Sequence, residues 1–393
     1  MDQNMTQSSD EQQLLEEVSR CRELVQQNPR EHKADLAAAL YNLGEFYAEE
    51  HRSADAEPYY LQAVSHYMEL AEENPQMFRS VLAEVLNSTG VFYVYSNRTE
   101  HAVPYILQAV SLYQMLAEED LERFKGSLAM TVENLARVYL FLDEEEEMEK
   151  YYLQACDLYE ELAAEDPAEY SQYLARILNN IGNIYNCQGR ADDAERYLLR
   201  GRDQYERLAE ENPETGLPNL ARALTNLATF YATQEDLEKA EELYRQGIAI
   251  QERCADDDEV NKSDLAVTLT NLGTFYAGYE RYEQAKECCL RALSIQQELF
   301  EANAEGYMQS LASTLERLGF LYAETDDPED AEMYYLRALS FYEELVREDP
   351  ETFSEKLAEL LKMIVLFYAE HDDREKTMKY LGQLRALVQD SEE

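Results

Sequence analysis

The chain has 393 residues, 45% of them hydrophobic, and a formal net charge of −47 at pH 7 from 81 acidic against 34 basic residues. That field opposes binding to nucleic acid or to an anionic membrane surface and favours a partner that is basic or at least not acidic, although solubility of a long surface is its simpler use. No stretch approaches the roughly 20 unbroken apolar residues of a membrane helix, so no membrane partner is expected.

The first residues, MDQNMTQSSDEQQ, are polar and lack a basic stretch followed by an apolar one. Residues 1–9 are therefore expected to be disordered, and no export signal is read there. Glu11–Asn28 follows with Leu14, Leu15, Val18, Cys21, Leu24 and Val25 at helical spacing. This predicts an N-terminal capping helix over 10–28, equivalent to the second helix of a repeat whose first helix is missing.

From residue 29 to 390 one pattern, LxxLxxLGxxYA, comes round eight times. Its glycine position is held by Gly44, Gly90, Ala136, Gly182, Ala228, Gly273, Gly319 and Val365, at intervals of 46, 46, 46, 46, 45, 46 and 46 residues. Three residues later a tyrosine always stands, from Tyr47 to Tyr368. Within a copy, Leu36, Leu40, Leu43 and Tyr47 share one helical face. After a break at Glu50–Ser53, a second amphipathic helix carries Ala56, Tyr60, Ala63, Val64, Tyr67 and Leu70. The small residues Gly44, Ala56 and Ala63 allow two antiparallel helices to approach closely. Asn-Pro or Asp-Pro junctions at Pro29, Pro75, Pro167, Pro213 and Pro350 predict helix starts, with Asn or Asp as N-cap and proline in the first turn. Asp256–Ser263, where the 45-residue interval falls, is expected to alter the stacking angle. The last copy is degenerate, with Val365 for glycine, and residues 391–393 form a tail. Its first helix is apolar nearly all round, from Leu360 to Phe367, so either the final helix or a second copy of the protein covers it; monomer and dimer both stay open. Together these features predict an all-α solenoid of about 17 helices.

The pattern of Leu, Leu, Gly, Tyr and two later alanines resembles the tetratricopeptide (TPR) repeat over essentially the whole chain. It departs from it in unit length, 46 residues, and in an aliphatic residue (Leu40, Leu86, Val132, Leu178) where an aromatic is usual. The long unit is similar to kinesin light chains and bacterial scaffold proteins of this family. The resemblance implies a right-handed superhelix, a concave wall lined by the first helices, and a peptide or protein ligand in that groove.

The helical wheel picks the groove residues independently. Opposite the leucine stripe lie Met130, Asn134, Arg137 and Phe141 in the third copy, and Arg176, Asn180, Asn183 and Cys187 in the fourth. The fifth gives Arg222, Asn226, Thr229 and Thr233, and the sixth Val267, Asn271, Thr274 and Gly278. These positions hold three arginines, four asparagines in the LxNLG register and no carboxylate, whereas the outer copies carry Glu45, Glu49, Glu84, Glu324, Glu359 and Glu370 on that face. Side-chain amides can pair with an extended peptide backbone, and arginines can fork onto a carboxylate. One expectation is a peptide with an acidic end lying across Arg137, Arg176 and Arg222. The other is that the asparagines only bridge neighbouring first helices; Glu133 borders the patch. Tyr95 and Phe141 are the aromatics expected on the groove.

Catalytic chemistry finds no support. The glycines lie at helix-packing positions, the five histidines lack metal-ligand spacing, and no Cys-x-x-Cys occurs, so neither metal nor cofactor is expected. Six cysteines without paired spacing read as reduced thiols in a cytoplasmic protein. The sequence therefore predicts a non-catalytic interaction scaffold or adaptor. The alternative is a regulatory sensor responsive to a peptide or other ligand, without a visible output domain.

Overall fold

Leu36, Leu40, Leu43 and Tyr47 are each no more than 5% exposed, and Ala56 and Ala63 of the following helix are fully buried. The computed structural model, which describes residues 2–254 and 258–390, builds the predicted all-α solenoid of helix pairs; among the described residues there are 17 helices and no strand. The chain divides into two compact units, one through Ile181 and one from Gly182. The first holds α1 (Asp2–Gln27), α2 (Pro29–Glu49), α3 (Ser53–Glu73), α4 (Pro75–Tyr95), α5 (Thr99–Glu119), α6 (Leu121–Phe141) and α7 (Glu145–Glu165). The unit boundary falls within α8 (Pro167–Cys187). The second unit continues with α9 (Ala191–Glu211), α10 (Pro213–Thr233), α11 (Leu237–Cys254), α12 (Glu259–Gly278) and α13 (Tyr282–Ala302), and then α14 (Ala304–Glu324), α15 (Pro328–Glu348), α16 (Pro350–Glu370) and α17 (Arg374–Asp390).

The packing follows the small residues. A methyl group added to Gly44 would lie 3.3 Å from the Tyr60 backbone nitrogen, and one on Gly90 only 2.3 Å from Ile106 Cγ1. Each buried leucine of the stripe contributes about 2 kcal/mol through removal of apolar surface from water.

The repeated tyrosine does more than fill the core. Tyr47 donates to Glu11 of α1 at 2.9 Å, and Tyr93 to Glu57 of α3 at 2.9 Å. In the second unit Tyr231, Tyr276 and Tyr368 donate to Glu195, Glu241 and Glu332 at 2.6, 3.0 and 2.8 Å. Burial first, and then the carboxylate it donates to, push the Tyr47, Tyr231 and Tyr276 hydroxyls up to about 12, which keeps them protonated as donors. Each bond ties a first helix to the second helix of the copy before it.

The turn inside each copy is a left-handed cap. His51, Asn97, Asp143, Gly189, Glu235, Glu280, Asp326 and Asp372 all have φ between 54° and 71°. The amide after each one bonds back to the repeated tyrosine, as in Arg52 N to Tyr47 O at 2.8 Å and Arg281 N to Tyr276 O at 2.9 Å.

Two details depart from what the sequence predicts, the start of α1 and the capping at two asparagine junctions. α1 begins at Asp2, so residues 2–9, expected to be disordered, belong to a helix. The N-cap residues split: Asp120, Asp166, Asn303 and Asp349 accept backbone N–H bonds, whereas the Asn28 and Asn74 side chains turn to Glu31 and Met77. Residues 255–257 of the irregular junction, like the tail 391–393, lie outside the described residues. In α16, Leu360, Leu361, Ile364 and Phe367 are buried while Leu366 is 62% exposed, and α17 stacks Tyr380 on Tyr368 with ring centroids 5.5 Å apart.

Candidate functional site

The first-helix face of the first unit is organised around a buried acid. Glu133 on α6 is 2% exposed, and Arg176 on α8 grips it, Nη1 2.6 Å from Oε1 and Nη2 donating to Oε2 at 2.9 Å. Tyr159 of α7 donates to the same carboxylate at 3.2 Å. Burial pushes the Glu133 carboxyl above the ordinary range, opposed first by Arg176, then by Tyr159 and Arg137. Two of the three predicted arginines thus answer a charge that borders the patch and belongs to the core. Asn134 donates to Asn87 of α4 at 3.1 Å, a bridge between neighbouring first helices. Asn180 is half-buried, and Phe141 at the end of α6 is 61% exposed.

In the second unit Arg222 of α10 lies 3.7 Å from Asp264 of α12, whose carboxyl burial pushes up and Arg222 draws down. Asn183 and Asn226 are half-buried. Thr229 is within 2.9 Å of the Tyr244 hydroxyl, and Thr274 accepts from Arg317 Nη1 at 2.5 Å. Asn271, Thr229 and Thr274 line one cavity of about 490 Å3 with Arg317, Tyr244 and Phe275. The predicted residues therefore converge in part: three gather round this cavity, and Arg176 and Arg222 are engaged by acids of the adjacent first helix.

A larger cavity of about 720 Å3 lies in the first unit, between α2 and α4, with Asn134 of α6 at its edge. Its lining follows the same register. Glu45, Glu49, Tyr60, Phe92 and Asn134 stand where Thr229, Thr233, Tyr244, Phe275 and Arg317 stand in the second unit. Glu45 and Glu49 carry the acid that sets the outer copies apart from the predicted patch, and Arg317 lies one copy beyond that patch. Arg317 occupies the LxNLG asparagine position in LERLG, which is the signal that would have found it. Tyr95, expected on the groove, lines the first cavity and is 75% exposed.

The remaining reactive groups are quiet. Cys288 and Cys289 are buried, and burial pushes their thiols to about 11 and about 12, away from thiolate chemistry. Among the described residues no group of three or more His, Cys, Asp or Glu could hold a metal ion, and no helix is long and apolar enough to cross a membrane.

Family models of the tetratricopeptide repeat match residues 132–162, 173–253 and 264–344. Among solved structures the chain is similar to the apo form of the quorum sensor NprR from B. thuringiensis, with 17% identity, a TM-score of 0.54 and coverage of 86% of this chain and 84% of that one. It is also similar to aspartyl phosphate phosphatase F from Bacillus subtilis, with 18% identity, a TM-score of 0.53 and coverage of 81% and 73%. For BtubC from P. vanneervenii the identity is 23% and the TM-score 0.52, covering 63% of this chain and 92% of that one. At these identities what is shared is the fold. No curated protein sequence matches.

Proposed function

Because the chain belongs to the tetratricopeptide-repeat family, we propose that it is a non-catalytic adaptor that holds a peptide or protein segment on the first-helix face of a unit. The observation that carries this reading is the pair of cavities at equivalent repeat positions. Stack-building positions are nearly uniform from copy to copy, the repeated tyrosine without exception and the leucines with few substitutes such as Thr89 and Val132. The cavity positions vary in charge and size, which is what recognition needs and packing does not. Asn134, Asn180, Asn183, Asn226 and Asn271 supply amides for an extended backbone, with Thr229 and Thr274 beside them. Arg137 and Arg317 are the cations proposed to meet a partner's carboxylate, while Phe141 and Tyr95 offer rings. A cytoplasmic location follows from the reduced cysteines and is part of the proposal.

The test is a random peptide display library selected on the full-length chain, with affinities of the retained peptides then measured by calorimetry. Asn183→Glu combined with Thr274→Glu should weaken them, and Glu301→Lys on the second-helix side should leave them unchanged. If the groove pair binds as tightly as the parent, or nothing is retained, the adaptor reading fails.

A further inference from the structure

The cavity of the first unit has a wall that packing alone does not account for. Glu45 and Glu49 lie four residues apart on α2, on the same helical face, and both line the cavity. Across it stands Tyr95, with the buried rings of Tyr60 and Phe92 tilted at 31° to each other, 4.8 Å between centroids. We propose that this cavity takes a cationic side chain, lysine or arginine, of the partner segment. The proposal deepens the adaptor reading and rests on it for the source of that side chain.

Glu45 has a structural partner, because the Tyr60 hydroxyl donates to its Oε1 at 2.5 Å. At the equivalent place in the second unit Tyr244 is satisfied at 2.9 Å by the uncharged hydroxyl of Thr229. The buried tyrosine therefore needs an oxygen there and does not need a carboxylate. Glu49 has a threonine counterpart as well, Thr233.

Placing the two acids together also has a cost. Like charges four residues apart on a helix repel and weaken it. Of the eight copies only the first carries acids at both positions; the others read Val91 and Tyr95, Arg137 and Phe141, Asn183 and Cys187, Thr229 and Thr233, Thr274 and Gly278, Phe320 and Glu324, Leu366 and Glu370. A repeat that needed the acids for stacking would show them elsewhere. No lysine or arginine lines the cavity, and among the described residues neither carboxylate has a cation within ion-pair reach. A ligand cation would relieve the repulsion.

The walls fit such a ligand in shape too. An arginine or lysine stem can pack along Ala48 and Val91 while its head reaches the two carboxylates. The exposed Tyr95 ring offers its face to the same charge. Inside a partly enclosed apolar wall these interactions are screened less than on the open acidic surface.

The probe is acetyl-Gly-Arg-Gly-amide, titrated into the full-length chain with methyl-labelled valine and followed at Val91, with acetyl-Gly-Glu-Gly-amide as its counterpart. The arginine peptide should shift the Val91 methyls saturably and the glutamate peptide should not. Glu45→Gln with Glu49→Gln should weaken the arginine peptide by roughly tenfold, the loss of a charged hydrogen bond. Glutamine keeps an acceptor for Tyr60 and removes the repulsion between the two acids, so the melting curve should not fall. Glu210→Gln with Glu211→Gln removes the same charge on α9 and should leave the affinity unchanged. An unmoved Val91, an equal response to both peptides, or an equal loss in the α9 control overturns the cation site. Because the probe needs no selected partner, that failure leaves the library selection standing as an independent test of the adaptor.

Discussion

Arg176 reaches from α8 to close a two-point ion pair on Glu133, a carboxylate that is 2% exposed on α6. The two partners are unequal, since the Arg176 side chain is 42% exposed and can turn to water while Glu133 cannot. Arg176→Ala is therefore expected to cost about 3 kcal/mol, the penalty of an unpaired buried charge. Glu133→Gln should cost less than about 1 kcal/mol, because the exposed arginine rehydrates. Urea midpoints of the two variants check the order; equal losses would contradict it. Charge reversal at Arg176 would thus act on folding before it acted on any ligand.

Acid should separate two kinds of carboxyl. The Arg98 guanidinium holds Glu57 below its ordinary 4.5, and Arg281 does the same for Glu241. A depressed carboxyl binds fewer protons folded than unfolded, so its stability is present above pH 4.5 and lost as pH falls through the folded value. Glu133 runs the other way. Burial raises it, so its contribution is present below pH 4.5 and lost as pH rises through its folded value. Glu241→Gln should flatten the acid limb of a stability profile, and Glu133→Gln should remove a decline on the other side. Thermal melts across pH, compared with the parent, read both.

The left-handed caps carry removable strain. Glu235 and Glu280 hold φ of 60° and 56°, where Gly189 alone of the series is a glycine. Glu235→Gly and Glu280→Gly should each stabilise by about 1 kcal/mol through relief of the Cβ clash. A lower urea midpoint for either would contradict this.

Glycines inside helices should divide by what surrounds them. A methyl on Gly216 would meet the backbone nitrogen of Ala209 at 2.4 Å, and backbone cannot step aside. Gly216→Ala is expected to destabilise by about 2 kcal/mol. Gly278 has nothing within 4 Å of such a methyl, so Gly278→Ala should stabilise by up to about 1 kcal/mol. Paired denaturation curves give both signs at once.

The 46-residue period made the helix pairs, their junction prolines and the Leu36–Tyr47 core stripe readable, since each depends on local spacing. The tyrosine at the eleventh position was legible as core; its hydroxyl bond to a glutamate 35 or 36 residues earlier was not, because that partner lies on the preceding helix. The wheel picks one face of each first helix, yet the pairing of Arg176 with Glu133 and of Arg222 with Asp264 depends on which rows of adjacent first helices meet. A wheel drawn for one helix is silent on that. The turn at Glu50–Ser53 could be located, but a left-handed Glu235 or Glu280 goes against residue preference and is imposed by the helix ends it joins.

The link from Tyr93 to Glu57 begins in one copy and ends in the one before it, and so do its counterparts at Tyr231, Tyr276 and Tyr368. A gene duplication that inserts a whole unit carrying that glutamate would present a new tyrosine to an old glutamate at one seam and the reverse at the other, whereas Val103 and Lys286 stand at that place in two copies. Length in such a lineage can therefore drift by whole units while the joints heal themselves. What cannot be copied freely is an oddity confined to one unit, and the acids of Glu45 and Glu49 are of that kind.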